Sequence, residues 1–308
     1  MPAAIKNVAV AGGTGTLGTH VVNALLDSGA FNVTVLTRNS SAKVHPNISV
    51  KQVDYRSVES LIDALRGQDA VIDSTYSETD AASPCHLIDA SIAAGVYRYI
   101  PPEFGSDPLN ENVQALPFFQ RKATVTRHLF EKVKDTNLTW TAIANGPFFD
   151  PPLKDGTLGI DVRKKKATIY GNENCVSPWT TLQAIGKATA QVLLKPGDTE
   201  NKVVYISNAN LSQNDILKLA MEELGENDWE IRSEDIHKSY EEANNKLRQG
   251  EIDLGVIFTL LKYSMTSQVY TYVWESNDNN LLGVEQFTDD KVKALIGEIA
   301  NGSDQAYI

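Results

Sequence analysis

The stretch PFFQRKATVTRHLF, residues 117–130, sorts into two halves when wound as a helix. Phe118, Phe119, Ala123, Val125, Thr126, Leu129 and Phe130 share the apolar side, and Lys122 is the single charge among them. An ammonium on a buried face has two fates. Either its stem packs while the amine reaches water, or the amine is desolvated. In the second case its pKa falls from about 10.4 towards neutrality, where it exchanges protons with a bound molecule. The helix taken alone favours the first fate.

A second set of residues is suited to an anion. AVAGGTGTLGTHVVNALL places Gly12, Gly15 and Gly18 between a predicted strand and a predicted helix. In that setting a tight turn needs Gly12, the close approach of a pyrophosphate needs Gly15, and helix-on-sheet packing needs Gly18. The open amides of the helix start then face the anion. The run Gly12, Gly13, Thr14, Gly15, Thr16, Leu17 and Gly18 is expected to cradle a dinucleotide, with an unliganded glycine-rich turn as the alternative. Its spacing is G-x-x-G-x-x-G rather than G-x-G-x-x-G.

Arg38 stands 20 residues after Gly18, near where an NAD site wants a carboxylate. No acidic residue lies between Asp27 and Asp54. A guanidinium grips a 2′-phosphate that a carboxylate would repel. NADPH/NADP+ is therefore the expected cofactor, with Ser40, Ser41 and Lys43 as supporting groups. A solvated strand-end arginine is the alternative.

Elements must position these groups. β-Rich runs at 5–11, 31–37, 48–54, 69–75, 97–102 and 138–144 alternate with helical patterns at 17–28, 57–66, 80–94 and 117–134. That rhythm predicts βαβ units and a parallel sheet covered on both faces. The fold class is α/β: an NAD(P)-binding Rossmann fold, a doubly wound parallel sheet, with a smaller mixed α/β C-terminal substrate region. The rhythm breaks at NGPFFDPPLKDG (145–156). Residues 1–150 are read as the nucleotide-binding half. Residues 151–308 form a smaller region, partly packed back on the first. In it we expect a strand at 167–171, a helix at 180–194, a strand at 202–208 and a mostly helical stretch from Leu211 to about Asn277. Ser212 is a plausible N-cap within that stretch, and Gly225 a stop.

Composition narrows the partners. The chain has 308 residues and a formal net charge of −11, which argues against nucleic acid or an anionic membrane as the main partner. No run approaches the length of a membrane span, and the start lacks the pattern of a signal peptide. Two cysteines, Cys85 and Cys175, have no metal-ligand spacing and suggest a reducing compartment. A cytoplasmic protein without a metal is expected, acting on a small molecule as a monomer or homodimer.

The glycine pattern, Arg38, YIPPEFGSD (99–107), Lys122 and AIANGPFFD (142–150) together resemble the NmrA-like and isoflavone-reductase-like branch of the atypical short-chain dehydrogenases/reductases, its fungal members most of all. PWTTLQAIGKATAQVLL (178–194) and VVYISNANLSQNDILKLAME (203–222) extend the resemblance into the second half. The resemblance implies that Ser74 and Thr75 line the adenosine side. It places Pro102, Glu103 and Phe104 along the ribose and nicotinamide, and has Asn145, Pro147 and Phe148 close over the nicotinamide. It makes Lys122 the catalytic lysine. No Tyr-x-x-x-Lys occurs in the chain, and Phe118 stands four residues before Lys122, so proton chemistry rests on the lysine alone. Plant isoflavone reductases often carry an arginine four residues after the lysine. Here Thr126 stands there, which argues against a plant-type phenylpropanoid substrate.

Phe104, Phe148, Phe149 and Tyr263, with Met265, Tyr270 and Trp274 nearby in sequence, are candidates to wall an aromatic-accepting pocket; plain core is the alternative. Glu103 is read as fixing its loop, and VRKKKAT (162–168) as a solvated loop or edge strand. Two functions follow. One is an NADPH-dependent reductase of a small conjugated or aromatic metabolite (enone, quinone methide, imine or carbonyl), with Lys122 as general acid/base and a place in fungal secondary metabolism. The other is a non-catalytic NADP(H) sensor that binds a protein partner.

Overall fold

Val8 and Val10 point to one side of the strand Asn7–Ala11 (β1), and Ala9 and Ala11 to the other, with all four fully buried. A strand apolar on both faces needs cover on both, and the chain supplies it. The structure, a computed structural model, describes residues 4–39, 45–75, 80–171, 175–267, 270 and 273–302. After β1 come Thr16–Asp27 (α1), Asn32–Thr37 (β2), Ser49–Gln52 (β3), Val58–Leu65 (α2), Ala70–Asp73 (β4), Ala82–Ala93 (α3) and Arg98–Ile100 (β5). Next are Glu111–Ala115 (α4), Gln120–Lys132 (α5) and Thr139–Ala144 (β6).

The second half runs Asp150–Asp155 (α6), Ile160–Asp161 (β7), Lys166–Tyr170 (β8), Ser177–Trp179 (β9), Leu182–Leu194 (α7) and Lys202–Tyr205 (β10). It continues with Ala209–Leu211 (β11), Gln213–Leu224 (α8), Glu230–Glu234 (β12), Ile236–Arg248 (α9), Leu254–Thr266 (α10), Asn279–Leu282 (α11) and Asp289–Ala300 (α12).

Seven strands form one parallel sheet in the order β3-β2-β1-β4-β5-β6-β10. Leu17, Val21 and Leu25 of α1 and Leu182, Ile185 and Val192 of α7 cover one face. Residues of α2, α3 and α5, Val125 and Leu129 among them, cover the other. The order reverses between β1 and β4, so a crevice opens beyond their carboxyl ends. The glycine turn follows β1 and Ser74–Thr75 follow β4, which brings both to that crevice.

The second half contributes α7 and β10 to this body. Arg98 on β5 helps tie them down. It is fully buried, and its guanidinium donates to Thr139 Oγ1 (2.8 Å), Thr141 Oγ1 (2.8 Å), Thr199 Oγ1 (3.1 Å) and the Pro196 carbonyl (2.7 Å). Four of its five N–H donors are matched in this way and Glu200 stands 3.8 Å from Nη2, which is how a buried charge is tolerated.

Around a separate core of Phe149, Ile160, Ile216 and Ile296, the elements α6, α8 and α12 gather with the small sheet β12-β8-β7. Two local expectations change. PFF is a 3-10 turn at Pro117–Phe119 ahead of α5, so Phe118 and Phe119 leave the sheet-facing stripe and pack with Tyr240 and Tyr263. The helical stretch after Leu211 is interrupted by β12. Its residues are mostly exposed and carry no buried stripe; parallel pairing with β8 makes them a strand. Ser212 does cap α8, in a reciprocal box with Asp215.

Candidate active site

The glycine turn is built for close approach. Gly12 is left-handed (φ 74°), and a β-carbon there would lie 2.8 Å from the Ser74 carbonyl group. A β-carbon at Gly18 would collide with the Gly12 carbonyl, so the first turn of α1 sits directly on the loop. Gly15 is exposed and caps α1 without any side-chain bond, and no acidic residue occupies the first turn. The helix start therefore presents free amides and the positive end of its dipole. Thr14 and Thr16 are exposed beside it, whereas Gly13 and Leu17 are buried and offer only backbone.

Arg38 is exposed one residue past β2, and no carboxylate pairs with its guanidinium among the described residues. Ser40, Ser41 and Lys43 lie outside the described residues. The fit for a phosphorylated dinucleotide is good: open amides at the switch point and, among the described residues, a cation beside them with no carboxylate partner.

Asp73, at the end of β4, organises the other lip. It is fully buried and accepts from the Thr75 amide (2.9 Å), Thr75 Oγ1 (2.6 Å) and the Tyr99 hydroxyl (3.2 Å). Burial pushes its carboxyl pKa up, against the pull of these bonds and of Arg121. Ser74 Oγ donates to the Ala11 carbonyl (2.7 Å), so Ser74 and Thr75 face the crevice with their hydroxyls already committed. Tyr55 stands near the Gly12 amide, Arg38 and Asp73, and burial drives its phenol pKa well up. An aspartate ending the apolar run AVID was the signal for this cluster. Neither Asp73 nor Tyr55 was singled out from sequence.

The chemistry-bearing end is assembled from two loops. The loop after β5 and the loop after β6 are stitched together, since the amides of Asn145 and Gly146 both donate to the Gly105 carbonyl at 2.9 Å. Asn145 is fully buried, and its Oδ1 has no partner among the described residues. Pro147 and Phe148 are half-buried, and Phe148 bridges to Thr180.

Lys122 is the third residue of α5, and its Nζ reaches over Gly105, 3.6 Å from where a β-carbon there would stand. It makes no hydrogen bond or ion pair among the described residues. Burial pushes its pKa down, Glu103 opposes this and Arg121 adds to it. Its place in the first turn, at the positive end of a helix, works in the same direction as burial.

Lys122 shares a small recess with Glu103, Asp107, Val113 and Phe119. Glu103 is 3% exposed, and Thr126 Oγ1, one turn beyond Lys122, donates to its Oε1 at 2.6 Å. Pro102 is buried beside it.

Not every expected residue reaches this place. Phe149 is fully buried with its ring 5.6 Å from that of Trp179, so it packs the second core and presents nothing to a substrate. Phe104 packs with Ile100, Ile143 and Ile206 and is mostly enclosed. Tyr263 shares an aromatic cluster with Phe119 and Val113, stacked on Tyr240 at 3.9 Å between ring centres. Trp274 packs instead on Tyr205 at the β10 edge, and Met265 lines a separate hollow with Cys175 and Lys262. The basic run 163–166 is consumed locally. Arg163 and Lys165 donate to the Ile299 and Leu224 carbonyls in the last turns of α12 and α8, while Lys164 and Lys166 pair with Asp161 and Glu230.

A parallel sheet in this order, with an uncapped glycine turn at its switch point, defines a Rossmann-type NAD(P)-binding protein. The model of the NmrA-like family matches residues 4–242, and the chain belongs to that family. The oxidoreductase aprR of Aspergillus flavus is 34% identical over 296 residues, covering 94% of this chain and 98% of that protein. A structure from a study of pinoresinol-lariciresinol and phenylcoumaran benzylic ether reductases superposes with a TM-score of 0.77 at 20% identity, covering 96% of this chain and 99% of the other. The structure of AtPrR2 with NADP+ and (+)pinoresinol gives 0.70 at 19% identity, covering 98% and 99%. At such identities the structural likeness speaks to the fold. No helix among the described residues is long and apolar enough to cross a membrane.

Proposed function

We propose that this oxidoreductase is an NADPH-dependent reductase of a small conjugated or aromatic metabolite, with Lys122 as its general acid. The observation that carries the reading is the Lys122 ammonium, without a hydrogen-bond or ion-pair partner among the described residues, on the wall of a recess beside the loops at the cofactor crevice. The named oxidoreductase relative and the NADP+ complex of a structural neighbour support the class and the cofactor.

The Gly12–Gly18 turn would hold the pyrophosphate on its open amides, and Arg38 the 2′-phosphate. Ser74 and Thr75 would border the adenosine side; Asn145, Pro147 and Phe148 would border the nicotinamide. Bound NADPH supplies a hydride to an electron-poor carbon of the substrate. Lys122 then gives one N–H proton to the anion left on the substrate and takes another from solvent. Val113, Phe119 and the Tyr263 cluster exclude water from the apolar side of the recess and favour a flat ring. Two free cysteines suit a reducing, cytoplasmic setting.

The test is NADPH oxidation over enones, quinones, imines and carbonyl compounds. Turnover of one class that disappears in Lys122→Met supports the reading. A panel with no turnover, together with a protein partner that binds only the NADP(H)-loaded chain, would replace the enzyme with a sensor.

A further inference from the structure

Two groups on the recess have hydrogen-bonding capacity that no described residue takes up. Lys122 Nζ has no partner, and Glu103 spends Oε1 on Thr126 while Oε2 has none among the described residues. The two residues line the same recess from different elements, Glu103 from the loop after β5 and Lys122 from α5. The wall around them is mixed: Pro108, Val113, Phe119 and Ala123 are apolar, and Ser106, Asp107 and Gln114 are polar. Other charges facing them are few: Arg121 from α5, which repels Lys122, and Asp107 from the loop ahead of α4. The α9–α10 pair contributes Tyr240 and Tyr263 to the neighbouring cluster, where His237 stands edge-on to Tyr263, Glu241 acts on both phenols and Arg248 on Tyr240.

We propose that Glu103 is the countercharge that keeps Lys122 protonated, and that Thr126 holds Glu103 in the place where it does so. The inference rests on the reductase reading only for its purpose. The charge state itself is a property of the protein alone.

Burial, the helix start and Arg121 all drive the ammonium to lose its proton. An acid whose proton is already lost at working pH has nothing to give. Glu103 is the charged group that opposes the loss. Burial raises the pKa of the Glu103 carboxyl too, and that is the larger effect on it. The neighbouring ammonium and the Thr126 hydroxyl both favour its charged form. Each group thus sustains the charge of the other. Thr126 fixes the carboxylate one helical turn from the lysine it serves, and both side chains of that turn come from the same rigid element. Glu103 is a positioning residue in this scheme, because it acts through Lys122.

The experiment is a titration of 13Cε-lysine-labelled protein by NMR, with the Lys122 signal identified by its loss in Lys122→Met. The Glu103→Gln variant keeps the size and the acceptor for Thr126 and removes the charge. Its Lys122 midpoint is expected to fall by about one pH unit or more. Thr126→Val should move it the same way by less, and Glu103→Asp should restore part of the wild-type value. In catalysis, the alkaline limb of kcat/KM should move to lower pH in step with the NMR midpoint. An unchanged or raised Lys122 midpoint in Glu103→Gln and Thr126→Val overturns the proposal. A lowered midpoint in a protein that turns over no substrate leaves this pairing standing and overturns the reductase reading instead.

Discussion

Gly12 and Gly18 are packed so closely that a β-carbon on residue 18 would stand 2.7 Å from the Gly12 carbonyl carbon, with the carbonyl oxygen nearer still. Neither partner can yield, because both are backbone, and Gly12 is itself pressed against Ser74. Gly18→Ala should therefore displace the turn rather than fill a space. We expect a loss of about 1–3 kcal/mol in stability and a larger proportional loss of NADPH binding, read by thermal unfolding and by fluorescence titration. Unaltered NADPH affinity would contradict the cradle.

Arg38 carries the cofactor choice. Arg38→Asp should weaken NADPH binding roughly 10- to 100-fold, the value of charge-assisted bonds to a phosphate, and leave NADH binding nearly unchanged. Titration of both cofactors against both proteins checks it. Equal losses would mean that the arginine grips no 2′-phosphate.

Lys122→Met should lower kcat by about 100-fold or more while NADPH affinity stays within a factor of two or so. The wild-type profile has a sign that follows from the site. Burial lowers the pKa of the ammonium, so activity that needs its proton is present at low pH and fades as pH rises through that lowered value, before the ordinary lysine range of about 10.4.

Asp73 makes stability depend on pH in the direction opposite to a surface carboxylate. Its folded pKa is raised by burial. Below the unfolded value of about 3.9 both states hold the proton. Above it the unfolded chain releases the proton first, so the contribution of Asp73 to stability falls with rising pH until the folded group also ionises. Asp73→Asn keeps an oxygen for Thr75 and removes this slope. Urea unfolding at several pH values between 4 and 8 should show the variant gaining on wild type as pH rises. Parallel curves would refute the assignment.

Much of this was legible in the sequence because it is local. The glycines, the helix cap at Ser212 and the apolar strands announce themselves within a few residues, and Arg38 is read by counting from Gly18. The oddity of Lys122 was also visible as a charge in an apolar stripe. What escaped depends on distant partners. Thr126 looked like part of that stripe until the loop after β5 delivered Glu103 to it. β12 carries no pattern that demands a strand and takes its form from β8. Phe149 sits beside Phe148 in the chain, yet the turn at 145–150 sends one ring to each of two cores. The Asp73, Tyr55 and Tyr99 cluster joins three separate elements, and only the packed sheet brings them together.

Arg98 sets a rule for anyone recombining members of this fold. Its acceptors lie partly on residues 196–199, nearly a hundred positions downstream. A chimera cut at the obvious break after β6 would import those acceptors from another parent and leave the guanidinium facing a foreign match. The better crossover lies past Tyr205, once β10 has been laid against β6. Exchange of the remaining C-terminal segment then trades the Tyr240 and Tyr263 side of the neighbouring aromatic cluster, together with Asp278, which accepts from the Tyr205 amide, while the recess lining at 103–123 stays with the first parent.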